Sequence, residues 1–95
     1  AYTVSKAGIV AMTRCLGLEL AKTGVTVNCV MPSAVNTDLF KNTPPAQVEA
    51  MLKKCPMGRF ITVEEVANLV CWIASEECSG TTGAAFDVAG GRCQF

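Results

Sequence analysis

Between residues 2 and 23, small side chains (Ala7, Gly8, Ala11, Cys15) mark one helical stripe and larger apolar ones (Ile9, Met12, Leu16, Leu20) mark another. Together they leave a narrow polar strip that includes Lys6, Thr13 and Lys22. A helix apolar round most of its circumference needs cover on several sides, more than a chain of 95 residues supplies. The pattern therefore predicts a helix that packs against a missing part of its domain, a second subunit, or both. Gly24 follows directly and is read as the helix stop. From Val25 to Met31 β-branched and polar residues alternate before the run turns apolar at Cys29, which predicts a strand ended by Pro32.

Residues 33–60 mix polar positions with scattered apolar bulk at Leu39, Phe40, Met51, Leu52, Met57 and Phe60. Thr43-Pro44-Pro45 is read as the N-cap and first turn of a short helix through Lys54, whose lysines suit a C-terminal turn. Long connections of this kind act as lids or binding loops, so 33–60 is expected to contain one. Thr62-Val63-Glu64-Glu65 is a capping box, and Val66, Leu69, Val70, Ile73 and Ala74 continue at helical spacing to about Ser75. A turn at Gly80–Gly83, a strand over Ala84–Val88 and a Gly90-Gly91 turn complete the chain. The order is helix, strand, lid, helix, strand, and a strand–helix–strand unit of this length makes a right-handed parallel crossover.

Composition narrows the function. Apolar residues make up 51% of the chain and charged ones 17%, the balance of a globular piece of one domain. Eight basic residues offset eight acidic ones, so no basic field for nucleic acid or anionic lipid exists. No apolar run reaches membrane-spanning length. The absence of histidine excludes Ser-His-Asp and Cys-His nucleophiles and every His-ligated metal site, and no metal is expected. The six cysteines include no C-x-x-C pair; with Cys15 and Cys71 on helix-periodic stretches, they are read as buried free thiols of a reducing, cytoplasmic compartment. The chain opens inside a helix without an initiator Met and is expected to be a piece of a longer protein.

The chemistry concentrates at Tyr2-Thr3-Val4-Ser5-Lys6. Tyr2 and Lys6 are four apart and share a helix face one turn from each other. A phenol ordinarily titrates near 10, too high for proton transfer at neutral pH, and a neighbouring ammonium favours its phenolate form. An acid–base tyrosine needs such a neighbour. The spacing by itself is equally that of two surface residues. Ser5, Ser33, Ser75 and Ser79 lack any base and are read as turn and cap residues.

Taken with its surroundings the motif becomes specific. Tyr-x-x-Ser-Lys-Ala-Gly, the small-residue helix, Val-Asn-Cys-Val-Met-Pro, then Val35-Asn36-Thr37 resembles the short-chain dehydrogenase/reductase family. Arg59-Phe60, the Glu64-Glu65-Val66-Ala67 helix and the Thr82-Gly83-Ala84 to Gly90-Gly91 ending follow in the same family order. The resemblance covers essentially the whole chain and corresponds to the C-terminal part of such an enzyme. It implies an α/β fold, the C-terminal portion of a doubly wound parallel-sheet (Rossmann-type) domain spanning 1–95. It also implies an NAD- or NADP-dependent oxidoreductase that interconverts an alcohol and a carbonyl by hydride transfer. Tyr2 matches the catalytic tyrosine, and Lys6 the lysine that holds the nicotinamide ribose and assists the tyrosine. Pro32 and Val35 match the turn beside the nicotinamide, with the Val35 backbone on the carboxamide and Thr37 adding a hydroxyl. Residues 38–60, with Leu39, Phe40, Met51 and Leu52, match the substrate lid. A homo-oligomer, dimer or tetramer, is the expected partner state, alongside a small-molecule alcohol or carbonyl substrate.

Two departures stand out. The family commonly carries Pro-Gly where this chain has Pro32-Ser33. No G-x-G-x-x-G loop occurs among the glycines, and the family's upstream catalytic serine has no counterpart, so the nucleotide-binding half is expected outside these residues. The isolated chain is accordingly expected to be inactive. The rival reading is a non-catalytic fragment or an oligomerisation module derived from such an enzyme.

Overall fold

The computed structural model describes residues 1–92. In chain order the elements are α1 (Tyr2–Glu19), β1 (Cys29–Pro32), a 3-10 turn (Asp38–Asn42), α2 (Pro45–Lys53), α3 (Val63–Ile73), a second 3-10 turn (Glu76–Cys78) and β2 (Ala85–Val88). The two strands pair in parallel as a two-stranded sheet, the α/β pattern of a partial Rossmann-type domain. Two compact units are built from this string: residues 1–30 with 71–86, and residues 31–70 with the described residues from 87 on.

In the first unit α1 stops four residues short of the expected end. The Thr23 hydroxyl and N–H both donate to the Leu20 carbonyl, at 2.7 and 2.9 Å, so a turn captures the orphan acceptor before Gly24 (φ +85°) reverses the chain. Most of α1 is uncovered, with Leu18 81%, Val4 75% and Met12 55% exposed, as a helix apolar on several sides must be when its own chain is too short. Thr13 corrects its placement on the polar strip. It is 4% exposed because its hydroxyl donates to the Ile9 carbonyl at 2.8 Å, which frees the methyl to pack inward.

The first strand also starts later than the alternation predicts. Over 25–28 side chains replace the ladder: the Val27 N–H donates to the Thr82 hydroxyl at 3.0 Å, and Asn28 both donates to the Thr81 carbonyl and accepts from the Ala84 N–H at 3.1 Å. Regular pairing begins only at Cys29. Here the Gly17 backbone abuts Gly83, so closely that a Cβ on Gly17 would lie 2.5 Å from the Gly83 nitrogen. Trp72 and Phe86 meet edge to face, their centroids 6.1 Å apart.

In the second unit the short helix begins one residue later than expected. Pro44 occupies the N-cap position and Pro45 opens the helix, so Thr43 is not its cap. Ile61 (4% exposed), Cys55 (6%) and Ala89 (6%) form the small core. The capping box forms as the sequence predicts, with the Glu65 N–H on the Thr62 hydroxyl at 3.1 Å and the Thr62 N–H on the Glu65 carboxylate at 2.9 Å. At the other end of α3 the Ser75 hydroxyl donates to the Trp72 carbonyl at 2.6 Å, which ends the helix at Ile73 rather than near Ser75.

Arg59 adds a fork to the capping box, donating to the two Glu65 oxygens at 2.7 and 3.0 Å. The Arg59 hydrogen bonds, followed by the Thr62 N–H, hold the Glu65 carboxyl at about 2 against an ordinary 4.5. A carboxyl depressed on folding stabilises the fold above its unfolded value, and that stabilisation fades as pH falls through the folded one. Urea midpoints of the full-length protein are therefore expected to drop between pH 4.5 and 2. Glu65→Gln lowers the midpoint at neutral pH and flattens that dependence; an unchanged slope would show that the fork does not carry it.

The cysteines need one correction. Cys55 and Cys78 are buried and Cys29 half-buried, all as free thiols, but Cys15 and Cys71 are exposed. Both sit on helix faces that the described residues leave uncovered. Cys93 lies outside the described residues, as does the side chain of Leu39. No described helix is long and apolar enough to cross a membrane.

Candidate functional site

The first turn of α1 carries Tyr2 and Lys6, and the helical rise stacks them as their spacing predicts. The Lys6 ammonium stands 5.4 Å from the centroid of the Tyr2 ring, a cation over an aromatic face. Ser5, between them, donates its hydroxyl to the Tyr2 carbonyl at 2.8 Å and so fixes the turn that presents both. Tyr2 is 73% exposed.

The second unit contains a cleft of about 380 Å³ lined by Ser33, Ala34, Val35, Thr37, Phe40, Met51 and Arg92. One lining residue, Val35, pairs with Ile61 in an isolated parallel bridge. The Ile61 N–H donates to the Ala34 carbonyl at 3.0 Å and the Ile61 carbonyl accepts from the Asn36 N–H at 2.8 Å. Because these bonds flank Val35 in a parallel bridge, its own N–H is turned to the side away from Ile61. The Val35 carbonyl is taken by the Thr37 N–H at 2.9 Å, a tight turn that sets Thr37 on the cleft edge. Phe40 stacks on Phe60 with centroids 4.7 Å apart and planes 11° from parallel, which anchors the 3-10 turn to the residue before Ile61.

Four residues singled out in the sequence therefore share one cleft: Val35, Thr37, Phe40 and Met51. Pro32 closes β1 without lining that cleft, and Leu52 is half-buried beside Met51 and also outside its lining. Tyr2 and Lys6 form a separate pair in the first unit. Ser33 and Ala34, which line the cleft beside Val35, belong to the Pro32–Val35 turn that the resemblance singles out; sequence reasoning missed Arg92, for which only the preceding double glycine hinted at a turn that could bring the last part of the chain back. No group of three or more His, Cys, Asp or Glu residues is disposed to hold a metal ion among the described residues.

The first unit thus carries a tyrosine and a lysine one helical turn apart, and the second a strand-end turn that opens on a cleft, within an α/β framework of Rossmann type. The profile of the enoyl-(acyl carrier protein) reductase family matches residues 1–92. The 2-dehydro-3-deoxy-L-rhamnonate dehydrogenase (NAD(+)) of Sphingomonas sp. (strain SKA58) is 47% identical over 95 residues, all of this chain and 38% of that protein. The 3-oxoacyl-(acyl-carrier-protein) reductases FabG of Buchnera aphidicola and Pseudomonas aeruginosa are 42% and 40% identical over 90 residues, 95% of this chain. They are matched over 37% and 36% of their own lengths. The chain belongs to the short-chain dehydrogenase/reductase family. It spans well under half the length of these curated relatives.

Proposed function

We propose that these residues are the C-terminal, proton-handling part of an NAD(P)-dependent oxidoreductase that interconverts an alcohol and a carbonyl. The observation that carries the reading is the Tyr2–Lys6 pair, with the ammonium 5.4 Å from the phenol ring. In the direction of reduction Tyr2 donates its phenolic proton to the carbonyl oxygen; in oxidation the phenolate accepts the alcohol proton. Lys6 keeps positive charge beside the oxygen that becomes negative and offers its remaining donors to the ribose hydroxyls. The cofactor, when bound, supplies the hydride chemistry.

The donors of the cleft suit a nicotinamide. The Val35 N–H, turned away from Ile61, and the Thr37 hydroxyl are neutral donors matched to a neutral carboxamide, and the cleft volume is that of a small-molecule site. Phe40 and Met51 give its lid side an apolar wall. The nucleotide-binding half lies outside these residues, so the isolated 95-residue chain is inactive. The exposed apolar face of α1 favours a homo-oligomer, and an oligomerisation module remains the second reading that this face supports.

Cofactor affinity of the full-length protein tests the assignment. Lys6→Met is expected to weaken binding of the reduced cofactor, followed by its fluorescence, roughly 10- to 100-fold, the worth of a charged hydrogen bond. Unchanged affinity would remove Lys6 from the cofactor site.

A further inference from the structure

We infer that Arg92 receives the anionic end of the substrate, and that the substrate is therefore a carboxylate-bearing alcohol or carbonyl compound. The inference rests on the oxidoreductase reading of the cleft. Of the seven residues that line it, Arg92 alone is charged; Ser33, Ala34, Val35, Thr37, Phe40 and Met51 bring no acid. Asp38, the nearest acid in sequence to the Thr37 edge, pairs instead with Lys41 at 3.0 Å. The other arginine of this unit, Arg59, is fully engaged by Glu65, whereas Arg92 makes no ion pair among the described residues.

The backbone places Arg92 deliberately. Gly90 (φ +62°) and Gly91 (φ +90°) adopt conformations that side chains resist, and a Cβ on Gly91 would come 3.1 Å from Pro56. The Gly90 carbonyl accepts from the Met57 N–H at 3.0 Å, and the Arg92 N–H closes the turn on the Ala89 carbonyl at 3.1 Å. A half-buried arginine whose main chain is set by such a turn, in a cleft without an acidic lining residue, offers a planar fork to a carboxylate. Phe40 and Met51 would cover the apolar part of the same molecule.

The test uses the full-length protein with levulinate and its uncharged methyl ester. In Arg92→Met the ratio of kcat/KM for acid over ester is expected to fall roughly 10- to 100-fold, mostly through KM. Arg92→Lys, which keeps the charge without the fork, recovers part of that ratio. An unchanged ratio overturns the inference. So does an unchanged ratio accompanied by weaker cofactor binding, which would hand the guanidinium to a cofactor phosphate. If neither compound is turned over, calorimetric titration with levulinate decides Arg92, while cofactor turnover on a wider panel of alcohols and ketones decides the oxidoreductase reading separately. Tighter binding to wild type than to Arg92→Met supports the inference; equal binding overturns it.

Discussion

Replacing Tyr2 by Phe in the full-length protein is expected to lower kcat roughly 100- to 10,000-fold, the usual worth of a positioned acid–base group. The substitution removes one oxygen and leaves the ring, so the Lys6 ammonium keeps its aromatic partner at 5.4 Å. The Ser5 hydroxyl keeps the Tyr2 main-chain carbonyl it bonds at 2.8 Å, and the helix turn is preserved. Cofactor affinity should consequently stay within about twofold while turnover collapses, the signature of an interaction made in the transition state. Equal losses in binding and turnover would point to a structural role for the phenol. Steady-state kinetics combined with a fluorescence titration of the reduced cofactor separates the two.

Gly17→Ala carries the largest expected effect on stability. The new methyl would lie 2.5 Å from the Gly83 nitrogen and 2.6 Å from its Cα, both backbone atoms that no rotamer change can move aside. Gly83 is itself tied down, donating to the Val27 carbonyl at 2.7 Å and accepting from the Arg14 guanidinium at 3.2 Å. Separating the helix from this loop costs about 3 kcal/mol, the upper end of overpacking, or roughly 6–12 °C in Tm for a domain of 150–250 residues. Gly80→Ala, where nothing lies within 4 Å, should leave Tm unchanged or slightly raised. Comparable melting of the two variants would mean that the Gly17–Gly83 approach is looser than drawn.

How much of this was legible in the sequence depended on the range of each interaction. The Thr62–Glu65 capping box, the Tyr2–Lys6 stack and the helix, strand, lid, helix, strand order rest on local patterns, and local spacing reveals them. The late start of β1 was not legible, because the partners of Val27 and Asn28 are Thr82, Thr81 and Ala84, more than fifty residues away. Thr43 is a good cap by residue type, yet two prolines in succession moved the boundary by one residue. Apolar periodicity around Cys15 and Cys71 predicted burial, yet both are exposed, because periodicity does not say what covers a face. Val35, Thr37, Phe40 and Met51 were singled out by family resemblance, whereas their common cleft depends on the Val35–Ile61 bridge and the Phe40–Phe60 stack. Arg92 stayed hidden because only the fold shows where the Gly90-Gly91 turn delivers it.

The central claim is that Tyr2 moves the proton in a nicotinamide-dependent alcohol–carbonyl interconversion. Its most direct test is the nicotinamide absorbance of the full-length protein mixed with cofactor and a panel of alcohols and ketones, read for wild type beside Tyr2→Phe. The account predicts steady cofactor turnover with at least one pair and its near abolition in the variant. Cofactor binding without turnover on any pair, or equal rates for the two proteins, would contradict it.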